Sequence, residues 1–337
     1  MNLIINKVKL KQFSKLEFAY FAILQSEKFK IIFMSGGKSL KLLDDVIHIE
    51  QMENGHIYHY TTLNALQGIL DNNEFWVTKS DFLNDKSEFQ YTYDLFRNNF
   101  LCNIEELSFR KKLINEFDAL INEDNDISRK PLSGYYIASF STDSDNLALW
   151  SEFSNSMGYN LEIDAEPFIH SFDKMIMWHG KVVYDKEKQL LLLKEALEKA
   201  MTWRIDYGGA KSLSDFSDNT PDSITKYIAL DLYAFCSVYA MFFKQPEFNS
   251  ESEYRVVLSS IHEESDYVKN PECLFFRPAK EILIPYIKVH CKAIDSLKAI
   301  TVGPKNNIDI ATAGISMYCR SKGITIPIRK SRIPLRY

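Results

Sequence analysis

Three short segments of the chain carry side chains whose types and spacing could do chemistry. His59-Tyr60-Thr61 closes one apolar stretch and Ser139-Phe140-Ser141 closes another, while Glu251-Ser252-Glu253-Tyr254-Arg255 leads straight into Val256-Val257-Leu258. Read as strands, these segments place Ser139 and Ser141 on one face, and Glu251 and Glu253 likewise, because successive side chains alternate. An imidazole, a hydroxyl pair and a carboxylate pair converging on one cleft would suit cleavage of an N-glycosidic bond. The transition state there resembles an oxocarbenium ion, and a carboxylate beside the sugar stabilises the charge as it develops. Histidine can hold a ribose hydroxyl. Aromatic rings, plentiful at 23 Phe, 18 Tyr and 4 Trp, can sandwich a planar base.

Each of these residues also has a plainer use. His59 between two tyrosines fits a hydrogen-bonded structural histidine. His56 and His59 point to opposite faces of a strand, and no third metal ligand is in sight. Ser139 and Ser141 can end a strand on local backbone bonds. Arg255, on the same face as Glu253, can pair with it, which would keep the carboxylate ionised and still allow the guanidinium to meet a phosphate. Asn84, Asp85 and Glu88 read as a helix start with its capping partners, and Trp150 reads as core. Lys244 reads as a cation at a helix C-terminus. Arg329, Lys330, Arg332 and Arg336 read as a solvated edge, the same residues that RNA or an acidic partner would use. Ser35-Gly36-Gly37-Lys38-Ser39 imitates the end of a phosphate-binding loop, but Ile32 stands where its first glycine belongs, so the match is one of chance.

These groups need elements to position them. Strands are expected at 57–60, 75–78, 135–141, 159–163, 175–184, 253–261, 274–276, 282–287, 299–302 and 324–328. Helices are expected after a Thr62 cap, from Asp85 to about Phe100, and over 104–122, 146–153 and 308–321. Residues 186–243 read as mostly helical, broken at Gly208-Gly209. Residues 1–51 form an N-terminal extension with a helix (13–26) and a short strand (30–34), and Met52 offers an alternative start. Residues 52–337 then read as a single α+β domain with a helical insertion at about 186–243.

Composition narrows the class. Of 337 residues, 46% are apolar and 25% charged, an ordinary globular mixture, and 40 basic against 45 acidic side chains leave −5. That total does not advertise a nucleic-acid surface, although a local patch remains open. The early apolar run at 18–24 is far short of the roughly 20 residues a membrane span needs. Five scattered cysteines without a C-x-x-C pair suit a reducing cytosol, so the expected location is cytoplasmic, with no membrane partner and no metal.

The order His59, then Ser139/Ser141, then Glu251/Glu253 at the head of a strand resembles the ADP-ribosyltransferase superfamily. That resemblance implies a split mixed or antiparallel β-sheet binding NAD as substrate. It implies that His59, with Tyr60 and Thr61, contacts the ADP-ribose portion, and that Ser139 and Ser141 shape the nicotinamide pocket. Glu253 would align the ribose, Glu251 would serve the acceptor side, and Arg255 would lie near a phosphate. The separation of His59 from Ser139 and the Phe at 140 depart from the transferase pattern. Over most of 57–337 the chain also resembles a bacterial family of domains of unknown function, similar to effectors of phage defence and abortive infection. The landmarks are I-Y-H-Y-T-T at 57–62, L-N-D-K-S-E at 83–88, S-F-S at 139–141, L-W-S at 149–151 and E-S-E-Y-R at 251–255. Together these imply an effector or toxin that cleaves NAD and passes ADP-ribose to a protein or nucleic-acid acceptor, with an antitoxin or other defence-system protein as partner. Two other readings stand beside it. One is a non-catalytic module that senses a nucleotide or phage component; the other is a metal-dependent nuclease using Glu251, Glu253 and an upstream Asp.

Overall fold

The computed structural model describes residues 46–52, 54–83, 87–125, 134–154, 156–172, 176–203, 207–259, 274–279, 281–290, 293–306 and 308–334. The expected elements at 13–26 and 30–34, the 35–39 segment, and Asn84, Asp85 and Arg336 lie outside them. Ten strands follow in chain order: β1 (His56–Thr61), β2 (Glu74–Lys79), β3 (Tyr135–Ser141), β4 (Tyr159–Asp164), β5 (Ile176–Lys181), β6 (Glu253–Ser259), β7 (Leu274–Ala279), β8 (Ile282–His290), β9 (Leu297–Val302) and β10 (Ile328–Lys330). The α-helices among them are α1 (Leu63–Asn72), α2 (Ser87–Phe96), α3 (Leu107–Asn125), α4 (Leu147–Ser154), α5 (Ala165–His170), α6 (Lys186–Trp203), α7 (Asp222–Ala240), α8 (Ala293–Ser296) and α9 (Ile308–Ser321). The chain is therefore mixed α and β. Helix α5, six residues directly behind β4, is too short to leave a periodic signature and has no counterpart in the sequence expectation.

Two compact units divide these elements. The helical unit holds α2, α3, α6 and α7. Its centre is α7, where Tyr233, Phe235, Cys236 and Val238 are buried. Tyr93 of α2 stacks on Tyr233 at 5.8 Å between centroids and shares a 3.0 Å hydrogen bond with Ser237. Glu88 lies buried 3.1 Å from Lys244, itself buried, so two residues expected at helix ends form an interior ion pair, the condition under which buried charge is tolerated.

The sheet unit holds all ten strands. Every pairing is antiparallel except β9 with β10. Strand β3 is the branch point. One of its edges pairs with β6 along its whole length, and β6 continues to β5. Its other edge is shared: Tyr136 and Ile137 pair with β2, whereas Ser141 pairs with Tyr58 of β1. Between them, at residues 138–140, the sheet forks into one arm of β1, β4, β9 and β10 and another of β2, β8 and β7.

Helices cover one face of this sheet. Thr62 caps α1 by accepting from the Ala65 N–H, and Asn73 ends it in a left-handed conformation (φ 53°) that asparagine tolerates. The helix lays Leu66, Ile69 and Leu70 against Ile57, Phe75, Phe140 and Phe168. Each such side chain contributes roughly 1.5–3 kcal/mol on burial. On the opposite face Leu149 and Trp150 of α4 pack on Tyr60, with Tyr58 and Ile333 at the margin. No helix among the described residues is long and apolar enough to cross a membrane.

At the outer edge of β5, the Lys181 N–H donates to the Glu50 carbonyl at 2.9 Å, and residues 49 and 50 lie directly over Gly180. A Cβ at 180 would stand 2.8 Å from the Glu50 carbonyl oxygen and overlap the Ile49 side chain. Gly180→Ala is therefore expected to lower the urea midpoint by an amount worth about 1–3 kcal/mol. An unchanged midpoint would place residues 49 and 50 away from β5.

Candidate functional site

Register decides which of the candidate side chains can meet. Ser141 lies opposite Glu253 and Ser139 opposite Arg255, so two hydroxyls, a carboxylate and a guanidinium share one face of the sheet. Tyr58 lies opposite Ser141 and belongs to the same face, as does Tyr60 two residues on. His59, between them, points the other way. Its ring stands 5.1 Å from that of Phe75 and 5.7 Å from that of Phe140, both members of the helix-covered core. The structure thus brings Ser139, Ser141, Glu253 and Arg255 together and sets His59 behind them. Thr61 shares the face of His59 and is buried opposite Tyr159.

The carboxylate is held firmly. Arg255 Nε and Nη2 donate to Glu253 Oε1 and Oε2, each at 2.9 Å, in a bidentate fork between two buried residues. Glu251 is not its partner on one face. Strand β6 begins only at Glu253, and Ser252 has a left-handed φ of 47°, so the alternation expected from 251 to 253 is broken. Glu251 ends a 3-10 turn (Pro246–Glu251), and its carbonyl accepts the Ser141 hydroxyl at 2.8 Å.

A web of bonds fixes the approach to β6. The Ser252 carbonyl accepts from the Thr142 N–H at 2.7 Å and the Thr142 hydroxyl at 3.1 Å. Asn146 caps α4 through Oδ1, which accepts from Ala148 and Leu149, while its Nδ2 donates to Asp143 and to the Ser250 carbonyl. The Tyr60 hydroxyl accepts from the Asn146 N–H and donates to the Asp143 carbonyl, each at 2.8 Å. Trp150 is fully buried and donates to Asp145, which also takes the Ser331 hydroxyl and the Arg332 N–H. On the β1–β4 side, Glu162 meets His56 at 2.7 Å and Arg329. Burial first, then the Glu162 charge, raises the Tyr58 phenol above its ordinary range. Among the described residues, neither the Tyr58 hydroxyl nor the Ser139 hydroxyl has a hydrogen-bond partner.

Tyr58, Asp143, Asn146 and Glu162 are the residues that sequence reasoning missed, and Arg329, read there as part of a charged edge, meets Glu162. For Tyr58 the one legible signal is the alternation of I-Y-H-Y-T-T, in which the tyrosines and the histidine necessarily face opposite ways. Which parity meets the hydroxyls depends on register with β3, and no single strand carries that information. The nuclease reading needs several carboxylates around a cation. Among the described residues no group of three or more His, Cys, Asp or Glu is placed to hold one.

Desolvation pushes the His59 imidazole down to about 4, partly offset by its hydrogen bond to the Ser139 backbone. The folded protein therefore holds it neutral while the unfolded chain protonates near 6.5. In that window the unfolded state binds more protons, so stability is complete above about pH 6.5 and falls as pH drops towards 4, by at most about 3 kcal/mol. His59→Leu is expected to flatten this component in chemical denaturation between pH 7 and 4.5; the same slope in the variant would assign the loss elsewhere.

Residues 149–256 match the model of a family described as a protein of unknown function (DUF2971). The match opens on the L-W-S segment and closes just past E-S-E-Y-R, so it spans Trp150, Glu253 and Arg255 but not His59 or Ser139. No curated protein and no solved structure matches the chain.

Proposed function

We propose that the chain is an ADP-ribosyltransferase-like effector that cleaves NAD and transfers ADP-ribose to a protein or nucleic-acid acceptor, as a toxin or in phage defence. The observation that carries this reading is the register of β3 on β6, which sets Ser141 beside Glu253 and Ser139 beside Arg255. In this scheme the bond from nicotinamide nitrogen to ribose C1′ breaks, and its electron pair leaves with nicotinamide. Glu253, held by Arg255, faces the positive charge that grows on the ribose. The Ser139 hydroxyl supplies a donor for the nicotinamide amide. An acceptor nucleophile then attacks C1′ and gives its proton to Glu251, which is partly exposed at the mouth of β6. Tyr58 takes the ribose contact that the resemblance gave to His59. The imidazole becomes a positioning residue, acting through the Ser139 backbone.

One observation favours a second reading, recognition without cleavage: both oxygens of Glu253 are engaged by Arg255, and the Ser141 hydroxyl is engaged by backbone. A nucleotide-sensing module of a defence system would use the same face as a rigid polar wall.

Incubation with NAD labelled in its adenylate portion separates the two. The first reading expects nicotinamide release and labelled material in a bacterial lysate, with Glu253→Gln slower by about 100-fold or more and Ser139→Ala by about 10-fold. Because Glu253→Gln strands a buried guanidinium, at a cost of about 3 kcal/mol, rates are compared per folded molecule. Ser139→Ala removes no hydrogen bond among the described residues and keeps the comparison clean. Intact NAD after prolonged incubation with the parent protein would contradict the enzyme reading, and NAD binding without turnover would favour the sensor.

A further inference from the structure

We infer that Arg329 anchors the diphosphate of the dinucleotide, at the far end of a row of side chains that begins with Glu253. The inference rests on the reading of NAD as the ligand of this face, and not on its cleavage. Glu253 lies opposite Ser141, Ser141 opposite Tyr58, and Tyr58 opposite Glu162, so a single polar row crosses β6, β3, β1 and β4. Three strand spacings separate its ends, about 14 Å between backbones. That length holds a ribose and a diphosphate laid end to end. With the nicotinamide ribose at Glu253, the diphosphate falls towards Tyr58 and Glu162.

The resemblance to ADP-ribosyltransferases gave the phosphate to Arg255, but only 2% of that residue is exposed, and its Nε and Nη2 are committed to Glu253. Arg329 is differently placed. It projects from β10 opposite Thr301 of β9, on the face that Thr301 shares with Asn160 and Glu162. Its Nη1 donates to the Glu162 carboxylate, and on the strand between them the small Ala299 stands opposite Glu162. The Arg329 side chain is 54% exposed, and among the described residues its Nε and Nη2 have no partner. Glu162 is buried and holds His56 at 2.7 Å with its other oxygen, which fixes where the guanidinium stands. A guanidinium pinned by one nitrogen, with a planar set of donors left over, matches the oxygens of a diphosphate. An excess of positive charge plays no part, because Glu162, Asp143 and Asp145 offset Arg329 and Arg332. Asp143 accepts from the Asp145 N–H and from Asn146, and Asp145 from Trp150, Ser331 and the Arg332 N–H. Recognition therefore comes from directed donors. The ion pair with Glu162 would by itself tie β10 to β4, but one nitrogen suffices for that and leaves the rest of the guanidinium to a ligand.

The test is calorimetric titration of the full chain with NAD and with ADP-ribose, repeated in the presence of inorganic pyrophosphate. Arg329→Ala is expected to weaken both ligands about 10-fold or more, with Arg329→Lys, which keeps the charge and loses the fork, in between. Pyrophosphate should compete with NAD on the parent protein and lose that effect on Arg329→Ala. Arg332→Ala, which removes an exposed guanidinium from the same segment, should change binding by less than about twofold. Melting curves accompany each variant, and pyrophosphate competition on the parent protein is a readout that needs no variant. A purely structural Arg329 predicts NAD binding per folded molecule that no substitution at 329 alters; that result overturns the inference and leaves NAD as the ligand. An equal loss in Arg332→Ala, or NAD binding by the parent that pyrophosphate does not reduce, also overturns it. A parent protein that binds neither NAD nor ADP-ribose overturns the reading beneath it, and the inference with it.

Discussion

Strand β3 has to satisfy three neighbours with two edges. One edge is taken entirely by β6, so β1 and β2 must divide the other, pairing at Ser141 and at residues 136–137 and parting in between. A gap in a hydrogen-bonded sheet leaves main-chain groups that need other partners. His59 enters the gap from β1, bonds the Ser139 backbone, and wedges between Phe75 and Phe140. The neutral imidazole is suited to this because it is flat, apolar on its faces, and able to donate one hydrogen bond.

The two faces of the fork are chemically distinct for the same reason. Alternation along β1, β3 and β6 sends Ile57, Phe140, Tyr254 and Val256 into the helix-covered core and leaves Tyr58, Ser139, Ser141, Glu253 and Arg255 on the other side. A carboxylate and a guanidinium can be buried there because each satisfies the other in bidentate geometry. The turn ahead of β6 is tied down by Thr142 and Asn146, which fixes where Glu253 enters the strand. Positioning of the polar group is thus built into β3 and its attachments rather than into a mobile loop.

Much of the secondary structure was legible because it rests on local rules: Tyr135–Ser141 and Ile308–Ser321 have the bounds their patterns predict, and Thr62 caps α1 as its type and place suggest. The ion pair of Glu253 with Arg255 was also legible, since two residues along a strand return to one face. What could not be read was pairing. That Tyr58 rather than His59 meets Ser141 follows from inter-strand register, and the interior pairing of Glu88 with Lys244 joins residues far apart in the chain. Ser252 shows a further limit. Its positive φ breaks the alternation assumed for Glu251, and serine gives no hint of such a conformation in sequence.

The claim most open to direct test is that NAD chemistry belongs to the face of Glu253 and not to the face of His59. A crystal structure of the protein with a non-cleavable NAD analogue decides it. The account predicts the nicotinamide ribose beside Glu253, with Tyr58 and Ser139 in contact and the His59 ring still enclosed by Phe75 and Phe140. A dinucleotide lying against the His59 imidazole, or seated away from β3 and β6 altogether, would contradict it.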